Sequence, residues 1–479
     1  MKISIFVPLS FLLVLTAFVL PGCALYSAPK KVSVKIPLRL KYTPSKNKNI
    51  AYRLPSSGNK WWKNFGSKEL DALVNESLKN NLEYRMAVRN VQIAKTYVTQ
   101  NESGLFPSIN LTFSTTRNKL SGYETSIFSS GSSKSSIIYN LNQAGLTASY
   151  EIDLWHRIAN SVNEAGANVS ASKEEAEVVK LTLLSNVVNS YFQICYLNSE
   201  IKNLEEQYIG QKEIFRLNNI LFKDGIEDEG AVLQAKESLE IMKTFINSSI
   251  RLREISKNTL AYYIGEYPED LKINFHCRGI KSGMFKNLVP SGISSKMLIK
   301  RPDVKEAGYS VISFSYAKKE SLANFFPVFS LTGNYGYAST SLVNFISNAN
   351  SVWNFGLDIL APIFNYKQNI SIYERSKLQY KNAVLNYRNT VVNAFKETDD
   401  SLITYMKDYD TLNKYRNTYL YAKRIYGMDE ERYKDGIESR ISFLSSRLNY
   451  LSSRYNLMVQ KQILISDVIG VYNALGMGL

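Results

Sequence analysis

Histidine and cysteine are scarce: His156 and His276, with Cys23, Cys195 and Cys277, are all that a chain of 479 residues contains. So few ligands leave no metal-binding spacing, and no phosphate-cradling glycine loop, HExxH or GxSxG accompanies them. The sequence does not describe an enzyme or a holder of a metal or dissociable cofactor. Acidic residues are missing before Glu69, a stretch that holds twelve lysines and arginines. Those twelve account for most of the net charge of +16 and leave +4 for the rest of the chain, so no nucleic-acid-binding face is expected on the folded body. Proline is absent between Pro107 and Pro268 and again after Pro362, so nothing there breaks a helix. An exported protein could pair Cys195 and Cys277, but two cysteines so far apart in sequence make no disulfide framework, and "FQICYL" around Cys195 reads as a buried helical thiol; the sequence leaves their redox state open.

What is present begins with an export signal. Lys2 precedes an almost wholly apolar stretch from Ile3 to Leu20, followed by "LPGC" from Leu20 to Cys23. This ending resembles a bacterial lipobox, which would make Cys23 the mature N-terminus and the carrier of covalent lipid, palmitate included. The alternative is an ordinary signal peptide with a chance Gly-Cys. The non-acidic Ala24 implies, by the sorting rule of such lipoproteins, the outer membrane. The basic arm that follows, Lys30 to Lys68, reads either as a solvated linker or as a segment lying on anionic headgroups.

The chain is also written twice. KDGIE occurs in "LFKDGIED" from Leu221 and again in "RYKDGIES" from Arg432, and flanking segments repeat with it. "GLTASYEI" from Gly145 pairs with "GLDILAPI" from Gly356, and "LAYYIG" ending at Gly265 pairs with "VYNALG" ending at Gly476. "NVVNSY" from Asn186 matches "TVVNAF" from Thr390 at an offset shorter by one heptad, which predicts two unequal arms of one helical design. Each copy alternates two patterns. Ile109, Leu111 and Phe113, then Leu146, Ala148, Tyr150 and Ile152, have period two with polar residues between. Phe329, Leu331, Tyr335 and Tyr337, then Trp353, Phe355, Leu357 and Ile359, do the same in the second copy. Such strands fit either a bilayer crossing or half-buried hairpins of a soluble sheet. Between strands the chain is helical, with one near-continuous helix predicted from Arg157 to Asp224 and a coiled-coil seam along Leu444, Leu448, Leu451, Tyr455 and Met458.

KDGIE then reads as the tip of an antiparallel helical hairpin. Gly225 and Gly436 suit the left-handed residue that ends a helix, with Ile226 folding back onto Leu221. Asp228 and Ser439 are good N-caps for the returning helices. Lys223, Asp224, Gly225 and Ile226, with Lys434, Asp435, Gly436 and Ile437, are the candidate docking turns.

This order of elements resembles the TolC-like outer-membrane factors, in the OprM/NodT-like lipoprotein branch that serves RND-type efflux pumps. "SYEIDLWHR" (Ser149 to Arg157), "LIKRPDVKEA" (Leu298 to Ala307), "FFPVFSLTG" (Phe325 to Gly333) and "APIFN" (Ala361 to Asn365) carry the resemblance with the two turns. It implies a mixed α/β membrane protein with an internal two-fold repeat. Long antiparallel helices would form a coiled-coil tube, and four strands per chain would complete a 12-stranded barrel in a homotrimer. It divides the chain into a signal peptide (1–22), a lipid-anchored arm and belt segment (23–68), a first repeat (69–265), an equatorial linker (266–300) and a second repeat (301–479). The implied function is a passive outer-membrane exit duct for small molecules such as drugs. Implied partners are its own copies, a periplasmic adaptor, an inner-membrane RND transporter and outer-membrane lipids, with no nucleic acid. A duct for type I protein secretion is the nearest rival, and a non-pore lipid-anchored coiled-coil spacer a more distant one. Where the family carries acids near its periplasmic aperture, this chain has Ser442 and Ser445. The gate candidates are therefore Glu227, Asp228, Glu229, Tyr433, Glu438 and Arg440 together with those serines, with Arg440 expected to pair with Glu438 or with Glu227 to Glu229.

Overall fold

The computed structural model describes residues 60–121, 136–271, 275, 277, 289 and 295–477. The signal segment, Cys23, most of the basic arm and most of the loop after Leu120 lie outside the described residues. Seven helices and four strands organise the rest: α1 (Lys68–Asn80), α2 (Leu82–Glu102), β1 (Ser108–Leu120), β2 (Ile137–Ile152), α3 (Arg157–Lys223), α4 (Glu229–Ile264), α5 (Pro302–Ala323), β3 (Val328–Ser339), β4 (Ser351–Leu360), α6 (Gln368–Lys434) and α7 (Arg440–Ala474). None of the described helices is long and apolar enough to cross a membrane.

The internal repeat is visible as structure. α3 and α6 contain 67 residues each. They begin and end at the same separation, so the two arms are equal. The heptad displacement between NVVNSY and TVVNAF is thus not a difference in arm length. Val187 and Val188 sit in the main core, whereas Val391 and Ala394 pack in a separate small cluster with Val304. Both copies end at a left-handed glycine, Gly265 and Gly476.

By contacts the described chain forms two compact units that cut across the two repeats. The first gathers Val91–Ala171 and Ala307–Asn386 and contains the sheet. Its strands form a four-stranded antiparallel meander in the order β1-β2-β3-β4. Register places Ile109 opposite Ala148, Ala148 opposite Gly333 and Gly333 opposite Phe355; the next rung is Leu111, Leu146, Tyr335 and Trp353. One face is therefore a continuous apolar surface, and the rungs between present Ser108, Asn110, Thr147, Thr332, Asn334 and Asn354 on the other. The expected alternation is present in all four strands. "SYEIDLWHR" is the hinge from β2 into α3. Arg157 makes a two-point bond to Glu151 at 3.0 and 2.7 Å, and the Asp153 carboxylate accepts from the backbone N–H groups of Ile158 and Ala159. Trp155 stacks on Phe326 and donates its indole N–H to the Pro327 carbonyl.

The second unit holds the helical hairpin ends and the main core. Trp61 is almost completely buried and stacks on Tyr472 with centroids 4.8 Å apart, and Phe65 packs on Phe192. The segment from Trp61 is thus bound to the end of α7. "RPD" acquires a reason: the buried Arg301 guanidinium donates to Asp303, to Glu397 and to the last helical carbonyl of Ala474. One expectation fails here. Cys195 is not a free thiol but is disulfide-bonded to Cys277, closing a separation of 82 residues. In a chain-entropy account such a closure stabilises the fold by roughly 4.5 kcal/mol.

Two carboxyl pairs sit inside the helical parts. Burial, with Asp408 beside it, pushes Asp467 up to about 7, and burial together with Glu320 pushes Glu164 up to about 7. The folded chain holds protons that the unfolded chain releases near the ordinary carboxyl range. Their contribution favours the fold at low pH and is lost as pH rises through about 7. Asp467→Asn, which keeps a hydrogen-bond donor toward Asp408 without a second negative charge, is expected to flatten this part of the profile. Thermal melts at about pH 4 and about pH 8 should show the variant gaining much more on the parent at the higher pH, because the loss begins above the ordinary carboxyl range and is complete above about 7.

Candidate functional site

Each hairpin tip is built by the same set of backbone bonds. In the first, Ile226 N–H donates to Leu221 O at 2.8 Å and Gly225 N–H to Phe222 O at 3.0 Å. In the second, Ile437 N–H donates to Arg432 O at 2.9 Å and Gly436 N–H to Tyr433 O at 3.1 Å. This six-to-one and five-to-two pattern is the Schellman ending, and it requires a left-handed residue between helix and turn. Gly225 (φ 71°) and Gly436 (φ 75°) supply it. Asp228 accepts from Ala231 N–H at 2.9 Å and Ser439 from Ser442 N–H at 3.1 Å, so both returning helices are capped by the expected side chains.

Apolar closure of the turns does not follow the expectation. Ile226 is 70% exposed and Ile437 is 68% exposed. The main-chain bonds hold each turn, and the isoleucine projects from it. Lys223, Asp224, Glu227, Asp228 and Glu229 of the first tip, and Lys434 and Asp435 of the second, are exposed as well. Each tip therefore presents an exposed isoleucine ringed by charges of both signs, with Phe222 also exposed at the first.

Charges at the second tip are arranged differently from the expectation. Glu438 pairs with Arg432 at 3.3 Å, and Lys434 with Glu430 at 3.2 Å. Arg440 instead lies over the Tyr433 ring, 5.1 Å from its centroid, and over Phe443 at 5.6 Å. Its charge helps Arg216 hold Glu213 below the usual carboxylate range. The reason is local: Arg440 opens α7 between Tyr433, at the end of α6, and Phe443, one turn further on, and those two rings stack on each other. Ser445 donates its hydroxyl to the Ile441 carbonyl, and Ser442 is exposed.

Behind Arg440 runs an aromatic ladder that sequence reasoning missed. Tyr433 stacks on Phe443 (5.1 Å, 10°), Phe443 on Tyr426 (5.6 Å), Tyr426 on Tyr450 (5.4 Å, 11°) and Tyr450 faces Tyr419 (5.7 Å). The signal was legible, since Tyr419, Tyr426 and Tyr433 recur every seventh residue on α6, as do Phe443 and Tyr450 on α7. Residues of the first hairpin join the same apolar cluster: Ile214 and Ala235 are buried with Phe443 and Leu444, and Phe215 and Leu217 pack against them as Tyr426 and Tyr433 do.

These turns and the two-faced sheet can be set beside known proteins. The family model for outer membrane efflux proteins matches residues 73–266 and 293–477, one block for each repeat. The antibiotic efflux pump outer membrane protein ArpC of Pseudomonas putida is 26% identical over 97% of this chain and 95% of its own length. The probable outer membrane lipoprotein SilC of Salmonella typhimurium is 27% identical over 82% of each chain. Among solved structures, the CmeC outer membrane channel of Campylobacter jejuni superposes with a TM-score of 0.83 at 25% identity, covering 95% of this chain and 94% of that one.

Proposed function

The chain belongs to the outer membrane efflux protein family, and we propose that it is the outer-membrane exit duct of a tripartite RND-type pump. The observation that carries this reading is the sheet: four strands with one apolar face, one polar face and two strand edges, β1 and β4, that no other described strand pairs. Four strands do not close a barrel, and an open edge within a bilayer leaves its N–H and C=O groups without partners. Three copies supply twelve strands and remove every edge, with Ser, Thr and Asn facing a water-filled lumen. Small-molecule cargo is favoured over secreted polypeptide by the names of relatives such as ArpC. A non-pore spacer leaves the polar face without a role. Single-channel recording on the purified full-length protein tests the duct: step conductances support it, and a protein that inserts without conducting overturns it. A deletion strain screened for drug susceptibility identifies the cargo.

In this reading the KDGI turns meet the periplasmic adaptor, through Ile226 and Ile437 amid their charged rims. Resting closure lies near Tyr433 and Arg440. Since Arg440 stacks on aromatic rings rather than pairing with an acid, its contribution is a cation–π contact of about 0.5–1 kcal/mol. Covalent lipid on Cys23 is part of the same proposal, supported by LPGC and by the lipoprotein name of SilC. Cys23→Ser is expected to yield a mature protein without the mass of the acyl chains. Mass spectrometry of the native N-terminal peptide checks this, and an unmodified N-terminus elsewhere in the native chain would contradict the anchor.

A further inference from the structure

We propose that the Cys195–Cys277 disulfide is an exchangeable redox site, opened by a small carboxylate-bearing thiol that enters the cavity in whose wall it lies. This inference is independent of the efflux reading. The cavity, about 580 Å³, lies within the helical unit, and both half-buried cysteines line it beside Tyr191, Phe192, Tyr196 and Met458. Among the described residues two lysines, Lys68 and Lys461, also line it, against one carboxylate, Glu69. Glu69 already accepts the Tyr191 hydroxyl at 3.0 Å, and Ser67 lies 3.0 Å from the same hydroxyl. Lys461 is half-buried, and burial followed by repulsion from Arg416 presses its pKa down. Among the described residues no carboxylate pairs with it. A half-buried cation with no carboxylate partner among the described residues therefore lines the same cavity as the disulfide.

Thiol–disulfide exchange passes through anions at both ends. A thiolate attacks one sulfur, and the other sulfur leaves as a thiolate. A neighbouring ammonium stabilises both species, whereas a sealed apolar disulfide has neither access nor charge. In the first step RS⁻ bonds to one cysteine sulfur, the S–S bond breaks and the second cysteine leaves as thiolate. A second RS⁻ attacks the small-molecule sulfur of the mixed disulfide, releasing RSSR and the remaining cysteine thiolate. Two RSH are oxidised to RSSR, and two electrons and two protons end on Cys195 and Cys277. Closure is the reverse, with a protein disulfide oxidant accepting the electrons. The carboxylate preference follows from the excess of lysine in the cavity. Opening separates Cys277 from α3.

The test uses the detergent-solubilised full chain with reduced glutathione, which is anionic, and with cysteamine, which is cationic. New thiols are trapped with a maleimide and counted by mass spectrometry. Glutathione is expected to open the bond without denaturant. Lys461→Gln should slow glutathione about five- to tenfold relative to cysteamine, and Lys461→Arg should restore the ratio. The melting temperature of Lys461→Gln should not fall, because the substitution removes an unpaired half-buried charge. A bond that opens only after denaturation overturns the proposal, and so does a glutathione-to-cysteamine ratio that Lys461→Gln leaves unchanged.

Discussion

Gly436→Val is expected to abolish efflux while the protein still reaches the outer membrane at its normal level. A Cβ at Gly436 would meet no atom within 4 Å, so crowding inside the chain is not the mechanism. Backbone strain is. At φ 75° a β-branched residue costs on the order of 1–3 kcal/mol, and the turn relieves it by leaving the left-handed region. The bonds from Gly436 to Tyr433 and from Ile437 to Arg432 then break, and the exposed Ile437 moves. That energy is too small to unfold a body anchored by Trp61, Tyr472 and Arg301, but it is concentrated on the turn proposed to meet the adaptor. Gly436→Asn separates conformation from bulk, because asparagine tolerates the left-handed region. Drug resistance should fall to the level of a deletion strain with valine and be largely kept with asparagine, at equal outer-membrane abundance. Full resistance with valine would remove the tip from the mechanism.

The contrast between that turn and other parts of the molecule explains what could be read in advance. KDGIE was legible because every bond of the turn is local: a left-handed residue, a cap three residues on and carbonyls within one helical turn. Long helices were legible for a related reason. Nothing interrupts the residues after Arg157, and the observed helix ends at Lys223, one residue short of the expectation. Strand faces followed from period two, and pairing in the observed register needed only successive hairpins and one crossover. Features that join distant positions were not legible. Cys195 reads as a helical thiol until Cys277 is placed within bonding distance of it. Arg440 has Glu438 near it in sequence, yet helix geometry gives Glu438 to Arg432 and turns Arg440 onto Tyr433. The heptad displacement misled because similar apolar words serve different clusters, Val187 in the main core and Val391 beside Val304.

Gly336→Val should prevent assembly altogether, an effect larger than any at the tips. Gly145 and Gly336 face each other across β2 and β3, on the rung that also holds Thr112 and Val352. A Cβ at Gly336 would fall on the Ala144 carbonyl oxygen and on the Gly145 Cα. Both obstacles are backbone, so no side-chain rotation clears them. The strands must part or slip, and a one-residue slip would exchange the apolar and polar faces of the sheet. The cost exceeds about 3 kcal/mol in each chain, the upper range for overpacking with movable neighbours. In the proposed trimer it is incurred three times. Gly333→Ala is the informative companion. A Cβ there meets the Phe355 ring at 3.2 and 3.3 Å, and a side chain on an exposed strand can turn aside. Outer-membrane fractions run on semi-native gels should show folded oligomer for the parent and for Gly333→Ala, and only unfolded or degraded chain for Gly336→Val. Folded oligomer at the parental level with valine at 336 would mean that β2 and β3 do not approach as closely in the assembled barrel as they do within the single chain.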